Sequence, residues 1–211
     1  ATRVFSDGKR MLNRLVEGRW LQANGVLALL PANTVDDDTI EIYSDETRQQ
    51  VALRWSPLRL QSERPVVDGV KRPNRCLADF VAPKGVKPDY IGLFAVTAGL
   101  GVEKKELQFL ADHDDYSAIM FKALADRLAE AFAERLHQRV RKELWAYAPD
   151  EALSNEQLIA EQYRGIRPAP GYPACPDHRV KHGMFELLQA ADIGMGLTES
   201  MAMTPAASVS G

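Results

Sequence analysis

Between Asp115 and Tyr147 an apolar residue returns at every fourth position: Met120, Leu124, Leu128, Phe132, Leu136, Val140 and Leu144. That spacing marks one face of an α-helix. Unbroken, the run extends roughly 50 Å at about 1.5 Å per residue. Ala123 and Ala131 fill i+3 places, so the apolar stripe drifts slowly round the axis. Asp114 and Asp115 open the run, and Arg135, Arg139, Arg141 and Lys142 lie toward its end. A helix dipole favours that order of charge.

The segments before it read differently. Phe5 to Val16 fits a helical face, with Ser6-Asp7 as its cap and Gly18 as its stop. Gly25 to Leu30 is a short apolar run closed by Pro31, and Thr39 to Tyr43 alternates as a half-buried strand does. With Asp36-Asp37-Asp38 as the turn, the two predict a hairpin. Gln61 to Arg75 reads as a loop, and Cys76 to Val81 and Tyr90 to Val96 as further strands. Val102 to Ala111 predicts a short helix. Ser154-Asn-Glu-Gln157 is a capping box, with Leu153 and Leu158 as its hydrophobic staple, and opens a helix to about Tyr163. Met184 to Ala191 predicts a final short helix. Strands come first and helices later without strict alternation, which indicates an α+β fold with a mixed or antiparallel sheet. No internal repeat and no domain boundary interrupts the chain.

Composition narrows the function classes. The 211 residues are 45% hydrophobic and 26% charged, as in ordinary globular proteins. A net charge of −3 provides no basic excess for nucleic acid. Cys76 and Cys175 stand alone, without C-x-x-C, which fits reduced intracellular usage and no zinc site. No apolar run approaches the ~18 residues of a membrane span, and no signal-peptide pattern opens the chain. A cytoplasmic protein is the expectation. The small residues from Pro205 to Gly211 suggest a piece of something longer.

The unusual stretch is Arg167-Pro-Ala-Pro-Gly-Tyr-Pro-Ala-Cys-Pro-Asp-His178. Each proline lacks an N–H and fixes φ, so the segment must be a stiff extended loop. Such a loop loses less entropy on holding a ligand. The N–H groups of Ala169, Gly171 and Tyr172 are candidate donors, and Gly171 permits close backbone approach. Arg167 offers a fork for a carboxylate, and Tyr172 a ring face for a cation. These features suit a zwitterion with a second positive centre. A plain surface loop whose arginine pairs with a glutamate fits them as well. Gly99-Leu-Gly101 lacks the third glycine of a dinucleotide loop, since Lys104 takes its place, and reads as a tight turn. His113-Asp-Asp115 reads as a helix start. His137, His178 and His182 share no metal-ligand spacing beyond the i+4 pair, and Glu130 sits on the polar face of the long helix with Asp126 and Glu134.

At Arg167 to His178 the chain strongly resembles the activation domain of cobalamin-dependent methionine synthase. The same likeness carries Cys76-Leu-Ala-Asp-Phe-Val-Ala-Pro83, Asp89-Tyr-Ile-Gly92, His113-Asp-Asp-Tyr116, Lys122-Ala-Leu-Ala-Asp-Arg-Leu-Ala-Glu-Ala-Phe132, Leu197-Thr-Glu-Ser200 and Ser208-Val-Ser-Gly211, in family order over nearly the whole chain. The resemblance implies a C-shaped single α+β domain over 1–211 with a central antiparallel sheet. It also implies binding of S-adenosylmethionine for reductive methylation of oxidised cobalamin, within an enzyme of methionine biosynthesis. Arg167 matches the family's carboxylate contact, Ala169 and Gly171 its orienting backbone, Tyr172 the methyl-donating end, and Glu130 a contacting acid. No catalytic residue and no metal ligand is implied in this chain. Cobalamin is implied chiefly on another module, with zinc, homocysteine and folate also elsewhere. The implied partners are the cobalamin-binding domain and flavodoxin or an equivalent reductase, with no nucleic acid and no membrane. The family domain extends further at both ends, which implies an incomplete domain, and Thr204 and Ala206 depart from its final motif. The rival reading is a docking or scaffold fragment of the same fold that binds no ligand alone.

Overall fold

The computed structural model describes residues 2–71 and 73–211; Arg72, inside the loop read over 61–75, lies outside them. Two compact units form, each from separate stretches of chain. One comprises Ala1–Val26, Ala95–Gly165 and Ala190–Val209, the other Leu27–Phe94, Ile166–Gln189 and Ser210–Gly211. The elements in order are α1 (Thr2–Gly18), β1 (Gln22–Thr34), β2 (Ile40–Tyr43), β3 (Val51–Trp55), β4 (Val66–Val67), β5 (Val70–Lys71), β6 (Asp89–Leu100), α2 (Val102–Ala111), α3 (Asp115–Arg139), α4 (Asn155–Ile159), α5 (Lys181–Leu187), β7 (Gly196–Leu197), β8 (Met203–Thr204) and β9 (Ser208–Ser210). Among the described residues the main sheet runs β3-β2-β1-β6-β9. β1–β2 and β2–β3 pair antiparallel. Phe94 and Gly211 exchange both backbone hydrogen bonds, which makes the β6–β9 end antiparallel too. The α+β expectation with a mainly antiparallel sheet holds.

In the first unit, Met11, Leu15, Phe109, Ala118 and Phe121 form a buried cluster. Trp20 closes it edge-on, 5.9 Å from the Phe109 ring and 6.1 Å from Phe121. The long helix is present, yet its deepest line is Ala118, Phe121, Ala125, Ala129, Ala133 and His137. That line sits one position beside the expected row; Leu124, Leu128, Phe132 and Leu136 are half-buried shoulders, and Ala123 and Ala131 are exposed. Small side chains let a helix come closest, so the alanines lead and the large residues flank. The ring of Phe132 settles where β1 has no side chain: a Cβ at Gly25 would lie 2.9 Å from Phe132 Cζ and 3.0 Å from Val96 Cγ1.

α3 ends in a π-turn over Val140–Leu144, short of the expected Tyr147. The cause is a buried charge. Arg141 is wholly inaccessible, and its Nε and Nη2 donate to the Glu151 carboxylate, both at 2.7 Å. Its Nη1 lies 2.7 Å from His137 Nδ1. A guanidinium only donates, so His137 must accept there. The Arg141 fork also lies 4.2 Å from the Tyr163 ring centroid.

The second unit holds a comparable arrangement. All four residues of β2 are buried rather than alternating. α5 covers the face of Ile40 and Ile42, whose partners on β3 are Trp55 and Leu53: Leu53 leaves a side chain at Gly183 only 2.7 Å, and Trp55 Nε1 donates to Val180 O. On the opposite face Glu41, 2% exposed, meets Arg54 and Lys84, each at 2.7 Å, and the Tyr43 hydroxyl at 3.1 Å.

Several boundaries move for physical reasons. α1 begins at Thr2, so Ser6-Asp7 is not its cap; Asp7 instead accepts from Arg10 and from the Tyr116 hydroxyl. β1 continues through Pro31, which stands one residue before its register with β2, where no ladder N–H is required. Cys76–Val81 is a 3₁₀ turn over Leu77–Phe80 rather than a strand, since the Asp79 carboxylate turns back to the Cys76 N–H at 2.9 Å. β3 and the β4–β5 hairpin were not foreseen. α4 keeps its capping box but stops at Ile159. The last helix divides into α5 and a 3₁₀ turn over Ala190–Ile193.

Glu41 and Glu151 both titrate below their ordinary value, chiefly through the hydrogen bonds from Lys84 and Arg141. A carboxylate with a lowered folded-state pKa stabilises fully above its unfolded value, about 4.3, and loses that contribution as pH falls through the lowered one. Denaturation midpoints should hold through neutral pH and fall below about pH 4.3. Arg141→Ala should lower unfolding free energy by about 3–5 kcal/mol in urea titration, since it strands a buried carboxylate. A loss under about 1 kcal/mol would mean the pair is dispensable.

Candidate ligand-binding site

The proline-rich loop is stiff, as its composition demands, and its few N–H groups largely hold the loop itself. Tyr172 N–H donates to Ala169 O at 3.1 Å, Gly171 N–H to Cys175 O at 2.8 Å, and Cys175 N–H to Tyr172 O at 2.8 Å. Tyr172 and Cys175 thereby form an isolated antiparallel bridge. This alters one expectation: two of the three anticipated backbone donors are already bonded inside the loop. Gly171 has φ +101°, a backbone open essentially to glycine. The His178 ring lies against its Cα; a Cβ there would overlap Cε1 and lie 2.6 Å from Nε2.

Beneath the turn the loop is anchored through its cysteine. Leu77 N–H donates to Ala174 O at 2.8 Å, setting Cys76 and Cys175 beside each other in the interior as free thiols. Burial, and then the neighbouring Cys76, push the Cys175 thiol up to about 12; burial raises Cys76 as well. Above the turn Tyr172 is 63% exposed, while Arg167 and Ala169 are half-buried. The structure thus gathers Arg167, Ala169, Gly171 and Tyr172 on one short loop of the second unit. Glu130 belongs to the first unit, exposed on α3 beside Asp126. The packing of His178, the last residue of this loop, against Gly171 is a role that the sequence reading did not assign to it. The signal was a glycine among prolines, which asks what occupies the space its side chain would fill.

Other candidates resolve as local structure. Asp114 caps α3 by accepting from Ser117 N–H at 3.0 Å, which lowers its pKa. Gly101 makes the left-handed turn before α2 at φ +90°, whereas Gly99 lies within β6 against the Pro205 ring. His182 lies 3.4 Å from Glu186 along α5. Among the described residues no group of three His, Cys, Asp or Glu side chains could hold a metal, and no helix is long and apolar enough to cross a membrane.

Two outcomes test this geometry. Gly171→Ala should lower stability by about 2 kcal/mol, through a strained φ and the collision with His178, measured by urea unfolding; no loss would contradict the turn. Cys76 and Cys175, buried and protonated, should resist iodoacetamide at pH 8 in the native protein and react once it is denatured. Prompt native labelling would show the anchor to be open.

A family model described as the activation domain of vitamin B12 dependent methionine synthase matches residues 1–211. Among solved structures, the chain is similar to the MetH reactivation domain bound to AdoHcy, at 57% identity and a TM-score of 0.91. The match covers 100% of this chain and 64% of that one, so the chain spans a little under two thirds of its length. With the family model matched from end to end, the chain belongs to the activation domains of vitamin B12-dependent methionine synthase.

Proposed function

We propose that this chain is the S-adenosylmethionine-binding reactivation module of a cobalamin-dependent methionine synthase. The observation that carries the reading is the loop Arg167–His178, whose geometry is fixed by its prolines and its own backbone hydrogen bonds, in a chain 57% identical to a reactivation domain bound to AdoHcy. AdoHcy is S-adenosylmethionine less its methyl group, so a site that fits one fits most of the other.

In this reading Arg167 holds the methionine carboxylate, since a guanidinium fork matches its two oxygens. Ala169 and Gly171 set the backbone against which the ligand lies. Tyr172, exposed at the turn, stands toward the methyl-donating end, where its ring face favours the sulfonium cation. Glu130 is the contacting acid contributed by α3. Cobalamin, carried chiefly by another module, supplies the nucleophile that takes the methyl group. This chain's residues then need only bind and orient, because placing two reactants in line is itself a large part of the rate. The module acts within 5-methyltetrahydrofolate–homocysteine methyltransferase, in the cytoplasm, and the isolated fragment is not active alone. Its partners are the cobalamin-binding domain and flavodoxin or an equivalent reductase, with zinc confined to a separate module.

Calorimetric titration of S-adenosylmethionine into the chain tests the reading. Saturable binding in the micromolar range is expected. Arg167→Ala should weaken it by roughly 2–3 kcal/mol, the value of a charged hydrogen-bonded pair. Absence of binding by the wild-type chain would leave a scaffold without a ligand, and an unaffected Arg167→Ala would move the carboxylate elsewhere.

A further inference from the structure

β9 leads directly into a residue that touches the ligand loop. Phe94 N–H donates to Gly211 O at 2.8 Å, and Gly211 N–H donates back to Phe94 O at 3.1 Å. This reciprocal pair fixes Gly211 on the edge of β6, beside the buried Ser210 and Phe94. At its bare Cα lies the loop: a Cβ at 211 would stand 2.6 Å from the Pro168 carbonyl oxygen and 3.0 Å from Phe94 Cε1. The oxygen is backbone and cannot turn away as a side chain would.

The stiffness of the loop determines how far such a push would travel. Pro168 and Pro170 have φ fixed by their rings. Arg167 and Ala169 each precede a proline and are confined to extended backbone. Four consecutive residues therefore have few free torsions with which to absorb a displacement at Pro168. Moving that carbonyl moves Arg167 on one side and Ala169 on the other. We infer that Gly211 is a positioning residue for the ligand loop, the seat on which the Pro168 carbonyl rests and from which Arg167 and Ala169 take their places.

The inference rests on the S-adenosylmethionine reading of the loop, and two measurements on Gly211→Ala separate the one from the other. In ligand-free protein, amide exchange at Gly171, Tyr172 and Cys175 should quicken at least tenfold, with β2 amides unchanged. In titration, S-adenosylmethionine should bind at least tenfold more weakly. Gly8→Ala, where a Cβ meets nothing within 4 Å, should alter neither. Unchanged loop exchange, or accelerated exchange with unchanged affinity, overturns the seat. A wild-type chain that binds no S-adenosylmethionine defeats the ligand reading, while the exchange measurement still decides the seat. Should Gly211→Ala not fold, Phe94→Leu/Gly211→Ala removes the ring from the collision and keeps the carbonyl in it. Relative to Phe94→Leu alone, it must show both changes.

Discussion

The packing of α3 into the first unit depends on side chains that are small or missing. Ala118, Ala125, Ala129 and Ala133 are at most 3% exposed, and Gly25 gives its space on β1 to the ring of Phe132. Interiors are packed to crystal density, so a helix comes closest to its neighbours where its own side chains are small. So placed, the helix carries His137 and Arg141 inward at its end, where a guanidinium would be ruinous alone. Glu151, held by both of its oxygens, and the Tyr163 ring make that burial tolerable. The π-turn lies at the same place, and Arg141 within it faces the carboxylate.

How much of this could be read from the residues differs by element. The four-residue return established α3 but not its rotational setting, because leucines announce themselves while alanines decide which face comes closest. The Ser154 capping box and the Asp114 cap were legible, being local chemistry written in adjacent positions. The 3₁₀ turn at Leu77–Phe80 was not. Cys76 to Val81 is apolar enough for a strand, and only the reach of Asp79 back to Cys76, with Arg59 gripping the same carboxylate, turns it aside. The burial of β2 on both faces was equally hidden, since Glu41 looks outward in any pattern of alternation. Its partners Arg54 and Lys84 come from other parts of the chain, and no local pattern foretells them.

The site loop shows the same division. Its rigidity follows from four prolines and needed no structure. The fate of its N–H groups did need one: the expectation that Gly171 and Tyr172 would offer donors counted which groups exist and not which already have partners. In a segment so poor in donors, those that remain are claimed first by the turn itself. Gly171 N–H goes to Cys175 O and Tyr172 N–H to Ala169 O, both within the loop. The cysteine below then owes its place to burial and not to reactivity, with a thiol pushed far from ionisation.

That bonding constrains how any ligand on this loop can be recognised. With Gly171 and Tyr172 turned to holding the loop, their backbone contributes shape, and on the proposed reading discrimination falls to the guanidinium of Arg167 and the ring of Tyr172, with the Ala169 N–H beside them. Those two side chains respond to opposite charges, one to a carboxylate and one to a cation, and the stiff backbone between them keeps their points of attachment nearly fixed. On the proposed reading, a ligand is selected by the distance between its own anionic and cationic ends. A zwitterion of the right span satisfies both groups, whereas a shorter or longer one must leave one of them facing water. Rigidity thus does the work that a larger set of hydrogen bonds would do in a softer loop, because a ruler measures only if it does not bend.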